Sequence, residues 1–113
     1  MMTARLASAV LVSALLRMVE RQSGFGTVIH KGDAEAGAIL IVLAERGTRV
    51  AVRERLLRGD GIYAWDSPLA GGHNESDIDK FLERRRKFDP DIWLIELDIP
   101  SAERFAAEMN EAI

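Results

Sequence analysis

Three residues beside a turn carry side chains that proteins use for proton transfer and metal binding. His30, Lys31 and Asp33 supply an imidazole, an ammonium and a carboxylate, and Glu35 adds a second carboxylate. Such a set can position a metal ion or exchange protons with a substrate. The alternative is structural, because Lys-Gly-Asp is also favourable turn chemistry. We favour the turn, since the other imidazole, His73, lies in a Gly-rich loop far along the chain.

Three arginines of a predicted strand could form a ligand surface. Alternate residues of a strand share one face of the sheet, so we expect Arg49, Arg53 and Arg55 on one side. If Tyr63 and Trp65 of the next strand share that side, cations and rings together form a platform for RNA or a nucleotide. The alternative is a wet face whose arginines pair with carboxylates. The pairing register of the two strands decides whether the rings share the arginine face. We favour the alternative in which the arginines pair with carboxylates.

The densest positive charge lies near the end of a predicted helix, at Arg84-Arg85-Arg86-Lys87. Four adjacent cations could contact phosphates. Neighbouring residues of a helix point around its circumference, however, so the four cannot face one ligand. No aromatic residue is interleaved with them, and we expect Phe88 to extend the packing stripe of the helix. We therefore interpret the cluster as a solvated surface.

Composition excludes several kinds of chemistry. The 113 residues include no cysteine, which rules out disulfides, thiolate zinc sites, iron–sulfur clusters and cysteine nucleophiles. The sequence also has no phosphate-binding Gly-rich loop and no serine nucleophile elbow. We predict no catalytic residue, no metal site and no cofactor.

The charge is divided unevenly along the chain. The net charge of -3 argues against general nucleic-acid binding. Residues 1–58 hold nine Lys/Arg and five Asp/Glu, whereas residues 59–113 hold six and thirteen. A basic half and an acidic half attract one another, within the fold or between subunits.

The first long element is predicted to be a helix over residues 3–22, capped by Thr3 and ended by Ser23-Gly24. Its segment LASAVLVSALL resembles the apolar region of a secretory signal. Arg17 closes that segment and no small-residue cleavage site follows, so we predict a retained helix and a cytoplasmic protein. Its apolar surface is wide for one sheet face, which favours either burial within the domain or a homodimer.

Five strands and two further helices follow. The run AILIVLA is apolar at every position, as in a central strand covered on both faces. The four strands between Phe25 and Asp66 lie close together in sequence, and we expect them to form an antiparallel meander. A helix beginning at Asn74 or Ser76 ends before Pro90. Residues 92–97 form the last strand, and Pro100-Ser101 opens the last helix.

The predicted order is therefore α-β-β-β-β-α-β-α, in a single domain over residues 1–113. We expect an α+β fold with a mostly antiparallel sheet of four to five strands and helices packed largely on one face.

Several segments together carry a family resemblance. They are Lys31-Gly32-Asp33 with the following Gly37-Ala38, Trp65, and the run from Arg86 to Glu96, which reads RKFDPDIWLIE. In these segments the chain resembles a family of short alphaproteobacterial proteins of unknown function. The resemblance spans a little over half of the chain. It implies a small bacterial cytoplasmic protein and implies no reaction, ligand or catalytic residue.

The leading functional hypothesis is a non-enzymatic interaction or regulatory module that acts as a homodimer, through helix 3–22 or an exposed sheet edge. The second hypothesis is a nucleic-acid or nucleotide module that uses the arginine platform. The third is a small metal-dependent or hydrolytic enzyme around His30 and Asp33. No membrane partner is expected, because the longest apolar run is far shorter than the ~20 residues of a membrane span.

Overall fold

A computed structural model describes residues 6–69 and 74–112. The elements follow the predicted order of an α+β fold. Their bounds are α1 Ser8–Arg21, β1 Phe25–His30, β2 Ile39–Glu45, β3 Thr48–Leu57, β4 Tyr63–Asp66, α2 Glu75–Phe88, β5 Trp93–Asp98 and α3 Ala102–Ala112. Thr3 and His73 lie outside the described residues.

The first helix begins later than the predicted residue 3. Ala7 is extended, and the helix starts at Ser8. The backbone N–H groups of Ser8 and Ala9 donate to the carbonyl oxygens of Glu35 and Ala34. These bonds satisfy donors that a helix start leaves without an intrahelical partner. The turn after β1 therefore fixes where α1 begins.

The five strands form one sheet in the order β1-β5-β2-β3-β4. All neighbouring strands are antiparallel except β2 and β5, which are parallel. The mostly antiparallel sheet of five strands is confirmed. The predicted four-stranded meander is wrong at β1, because β5 lies between β1 and β2.

Close backbone packing explains how β5 takes this place. A Cβ atom at Gly32 or at Gly37 would collide with the carbonyl oxygen of Asp91, just before β5. The backbone N–H of Asp33 also donates to that residue's carbonyl oxygen, at 2.9 Å. The two glycines let the β1–β2 connection lie directly against the start of β5, so β5 can pair with both strands.

Two hydrophobic cores cover the two faces of the sheet. The larger one joins α1 and α3 to one face through residues such as Leu15, Phe105 and Ile41. The smaller one joins α2 to the other face through Ile78 and Leu82. Residues 39–44 of β2 contribute to both cores and are at most 3% exposed. The prediction of a doubly covered central strand is confirmed, and two of the three helices share a face.

A β-bulge in β3 changes which side chains share a face. Leu43 pairs with Ala51, but the next residue of β2, Ala44, pairs with Arg49. Val50 is therefore an additional residue in β3. Because side chains alternate along a strand, the bulge reverses the face of every residue before it.

Candidate functional site

The predicted polar turn holds the β1–β2 connection to its surroundings. His30 Nδ1 lies 2.7 Å from the carbonyl oxygen of Ile92. The Asp33 carboxylate accepts the backbone N–H groups of Glu35 and Ala36, and Lys31 is exposed. The imidazole of His30 and the carboxylate of Asp33 therefore both contact backbone groups. Among residues 6–69 and 74–112, no three metal-binding side chains come together. A role for this turn in ligand binding stays a prediction.

The three arginines of β3 do not share one face, and the prediction is wrong for Arg49. The bulge turns this side chain toward α2, where its guanidinium meets Asp79 at 2.8 Å and Glu96 at 2.9 Å. Burial lowers the pKa of the guanidinium, but the hydrogen bonds to Glu96 and Asp79 outweigh it and leave the pKa raised. Arg49 therefore joins α2 to β5. The predicted pairing with the acidic carboxyl-terminal half is confirmed at this residue.

Arg53 and Arg55 lie on the opposite face with both rings of β4. Trp65 pairs with Arg55, and Tyr63 pairs with Leu57, so all four side chains point to the α1–α3 side. The Arg55 guanidinium lies 3.9 Å from the centre of the Tyr63 ring. Trp65 is only 3% exposed and belongs to the core. This face therefore carries two of the three arginines and one accessible ring, with Arg55 in contact with that ring, rather than a platform of three cations and two rings.

Arg55 and Tyr63 line a groove of about 340 Å³. Its walls come from the start of α1, the segment before β2, and the β3–β4 hairpin. Most of its side chains are apolar, among them Leu6, Leu11 and Leu57. Binding of a nucleotide or another ligand by Arg55 and Tyr63 stays a prediction.

One member of the basic cluster is half-buried and forms an ion pair. Both guanidinium nitrogens of Arg85 donate to the two carboxylate oxygens of Glu54 on β3, at 2.8 and 2.6 Å. The hydrogen bonds to Glu54 raise the pKa of the Arg85 guanidinium more than burial lowers it. This two-point contact fixes the carboxyl-terminal half of α2 on the sheet.

The other cations of this helix are exposed, together with an aromatic ring that was expected in the core. Phe88 is 87% exposed, so the expectation that it extends the packing stripe is wrong. Lys80, Arg84, Lys87 and Phe88 project within about 100° of the helix circumference at 3.6 residues per turn. We call these four residues the α2 outer stripe. Lys80 lies four residues before Arg84, and Arg84 lies three and four residues before Lys87 and Phe88, so the spacing alone could have revealed the group.

The two edges of the sheet differ in their protection. At the β4 edge, the backbone N–H of Trp65 donates to Asn110 Oδ1 at 2.8 Å, and its carbonyl accepts from Asn110 Nδ2 at 3.4 Å. The side chain of α3 thus takes the place of a further strand. The strand at this edge, β4, is short, and its last residue, Asp66, carries a charged side chain. Both features discourage pairing with another chain.

The β1 edge has no such cover. Among the described residues, β5 is the only strand that pairs with it. Phe25–Val28 carries no charged side chain, and Phe25 and Val28 are 63% and 41% exposed. A bulge before His30 ends the regular part of the strand. An exposed sheet edge is predicted as an interface, but the local sequence pattern does not show that β1 is that edge.

The end of α1 lies beside this edge. Leu16 packs against Gly26, where a Cβ atom would collide with the leucine side chain. Arg17, Glu20 and Arg21 line an open depression on the last turns of the helix. An open strand edge and a mixed-charge helix surface therefore lie next to each other.

None of the described helices is long and apolar enough to cross a membrane.

Comparison with known proteins relates the chain to one family. Residues 6–107 match the family model described as "Protein of unknown function (DUF1491)". A crystal structure of a DUF1491 protein from Caulobacter crescentus is 36% identical, with a TM-score of 0.78 over 86% of this chain and 91% of that one. The solution structure of a protein from A. tumefaciens is 31% identical, with a TM-score of 0.72 over 87% and 89% of the two chains. No curated protein matches. The resemblance to a family of alphaproteobacterial proteins of unknown function is confirmed.

Proposed function

The chain belongs to the DUF1491 family, whose function is unknown, and from its own geometry we propose a non-enzymatic interaction module that acts as a homodimer joined through β1. The observation that carries this proposal is the contrast between the two sheet edges. Asn110 occupies the β4 edge, whereas Phe25–Val28 presents unpaired backbone groups and exposed apolar side chains. Exposed edges of this kind pair readily with another strand.

A second copy of the chain is the occupant that the charges favour. Two β1 strands can pair antiparallel across a two-fold axis, because the same residues then face one another in both directions. The axis brings the ends of the two α1 helices near each other. Glu20 lies between Arg17 and Arg21 in sequence, so this surface carries both signs and is complementary to its own copy.

The polar residues support a structural role rather than catalysis. His30 and Asp33, which the sequence offered for proton transfer, contact backbone groups of the turn and of Ile92. The burial of α1 supports the cytoplasmic assignment. Its apolar side chains Leu11, Leu15 and Val19 are buried in the core. A segment that resembles a secretory signal is thus part of the packed fold, and removing it would remove one wall of that core.

Light scattering coupled to gel filtration tests the dimer. We expect twice the chain mass of 12.5 kDa at protein concentrations near 100 µM. Thr27→Lys places a cation in the middle of the edge, beside its own copy across the axis, so the variant should elute as a monomer. Glu20→Arg makes the helix surface uniformly positive and should weaken the dimer.

Ile62→Lys is the matched control, because Ile62 is 63% exposed near the opposite edge. It should leave the mass unchanged. A wild-type protein that is monomeric at this concentration would disprove the homodimer. A dimer that persists in Thr27→Lys but dissociates in Ile62→Lys would instead place the interface at the β4 edge, against the proposal.

A further inference from the structure

We propose that the α2 outer stripe binds a short length of single-stranded nucleic acid, with phosphates on its cations and one base stacked on Phe88. The site is independent of the dimer and differs from the predicted β3 platform, which the bulge divides. Lys80, Arg84 and Lys87 extend for roughly 10 Å along the helix at 1.5 Å per residue. Phe88 lies at the end of this row.

The cations of the stripe are available, unlike Arg49 and Arg85 nearby. Among residues 6–69 and 74–112, no carboxylate lies within salt-bridge distance of Lys80, Arg84 or Lys87. Arg85 and Arg49, in contrast, are held by Glu54, Asp79 and Glu96. At 0.15 M salt the Debye length is about 8 Å, so the stripe acts locally although the whole chain is negative.

Phe88 decides between the possible anionic partners. Its ring is 87% exposed, and every base offers a π-face on which such a ring can stack. An acidic peptide would match the cations but offers a π-face only where it carries an aromatic residue, whereas every nucleotide pairs a phosphate with a base. A membrane surface would need further apolar side chains on the same side of α2, but Ile78 and Leu82 are buried against the sheet and Phe81 is partly buried there. Single-stranded nucleic acid matches both the charges and the ring.

Fluorescence anisotropy with a labelled dT12 oligonucleotide tests the proposal. We expect saturable binding at 50 mM NaCl. With three phosphate contacts, log K should fall with log salt at a slope of roughly -2. Phe88→Ala should weaken binding at least about 5-fold, because base stacking contributes about 1–3 kcal/mol. Phe88→Leu should not restore it, since leucine replaces the apolar contact but not the ring.

Charge variants on the same helix supply the controls. Arg84→Ala with Lys87→Ala should reduce both the affinity and the salt slope, whereas Arg86→Ala, which lies outside the stripe, should change the affinity less than about 2-fold. Glu83→Gln removes one of the carboxylates beside the stripe and should strengthen binding. All of these positions are exposed, so the variants should fold normally, which circular dichroism checks.

Three results would overturn the proposal. One is the absence of binding to dT12 at 50 mM NaCl. Another is binding that Arg86→Ala weakens as much as the double variant does, because that would show a diffuse charge effect. The third is binding to polyglutamate or to vesicles with 30% phosphatidylserine, but not to the oligonucleotide, which would assign the stripe to an acidic protein or a membrane.

Discussion

Arg85 belongs to the basic cluster in sequence, but it stabilises the fold through its contact with Glu54. Glu54 is only 12% exposed in its side chain, and both of its carboxylate oxygens accept from the guanidinium. Removing one partner leaves the other half-buried and unpaired. Glu54→Gln should therefore lower the free energy of unfolding by about 1–3 kcal/mol. Arg85→Lys, which keeps the charge but loses the two-point geometry, should cost less. Urea denaturation measures both.

The pH dependence of this loss follows from the raised pKa of Arg85. A group whose pKa is higher in the folded state contributes stability that is fully present below its unfolded pKa. That contribution disappears only as the pH rises through the folded value, above the ordinary arginine range. The difference between wild type and Glu54→Gln should therefore be the same at pH 7 and pH 10. A difference that shrinks by pH 10 would contradict this assignment.

At the scale of elements, periodicity predicts helices and strands better than it predicts their partners. The unbroken apolar run of β2 requires cover on both faces, and the structure confirms it. Nothing in the local pattern shows that β5 enters between β1 and β2, because that pairing depends on the close approach of Gly32 and Gly37 to Asp91. The arginine platform failed for a related reason. A single additional residue, Val50, reverses the face on which Arg49 lies.

Because of the bulge, we expect two single-residue deletions in β3 to differ in their effect on stability. Deleting Val50 returns β3 to regular alternation and keeps Arg49 opposite Ala44, beside Asp79 and Glu96. Val50 is 39% exposed, so we expect a loss of stability within about 1 kcal/mol.

Deleting Arg53 instead shifts the residues before it by one position, so their side chains point to the opposite face of the sheet. This deletion should prevent folding. Urea denaturation followed by circular dichroism measures both deletions. If the two are equally harmful, β3 does not contain the bulge as described.

At the scale of the whole molecule, the basic and acidic halves meet within the fold. Arg49, from the basic half, contacts Asp79 and Glu96 of the acidic half. The pair between Glu54 and Arg85 also joins the two halves, but with the charges the other way round. The sequence predicted this attraction from charge counts alone. It could not predict which cations are left over, because that depends on which face of α2 meets the sheet. Lys80, Arg84 and Lys87 of the α2 outer stripe are among those remaining cations.

The packing of the first helix bears on the proposed location of the protein in the cell. If α1 is a permanent wall of the core, its buried and exposed residues must differ sharply in their contribution to stability. Leu15 is fully buried, and Val10 is 51% exposed one face away. Leu15→Ala should lower the free energy of unfolding by about 2–5 kcal/mol, because it opens a cavity between the helix and the sheet. Val10→Ala should change it by less than about 0.5 kcal/mol in monomer and dimer alike, since β1 rather than this part of α1 forms the interface. Urea denaturation of the full chain measures both, and a Leu15→Ala variant as stable as wild type would mean that α1 is detachable, as a secretory leader would be.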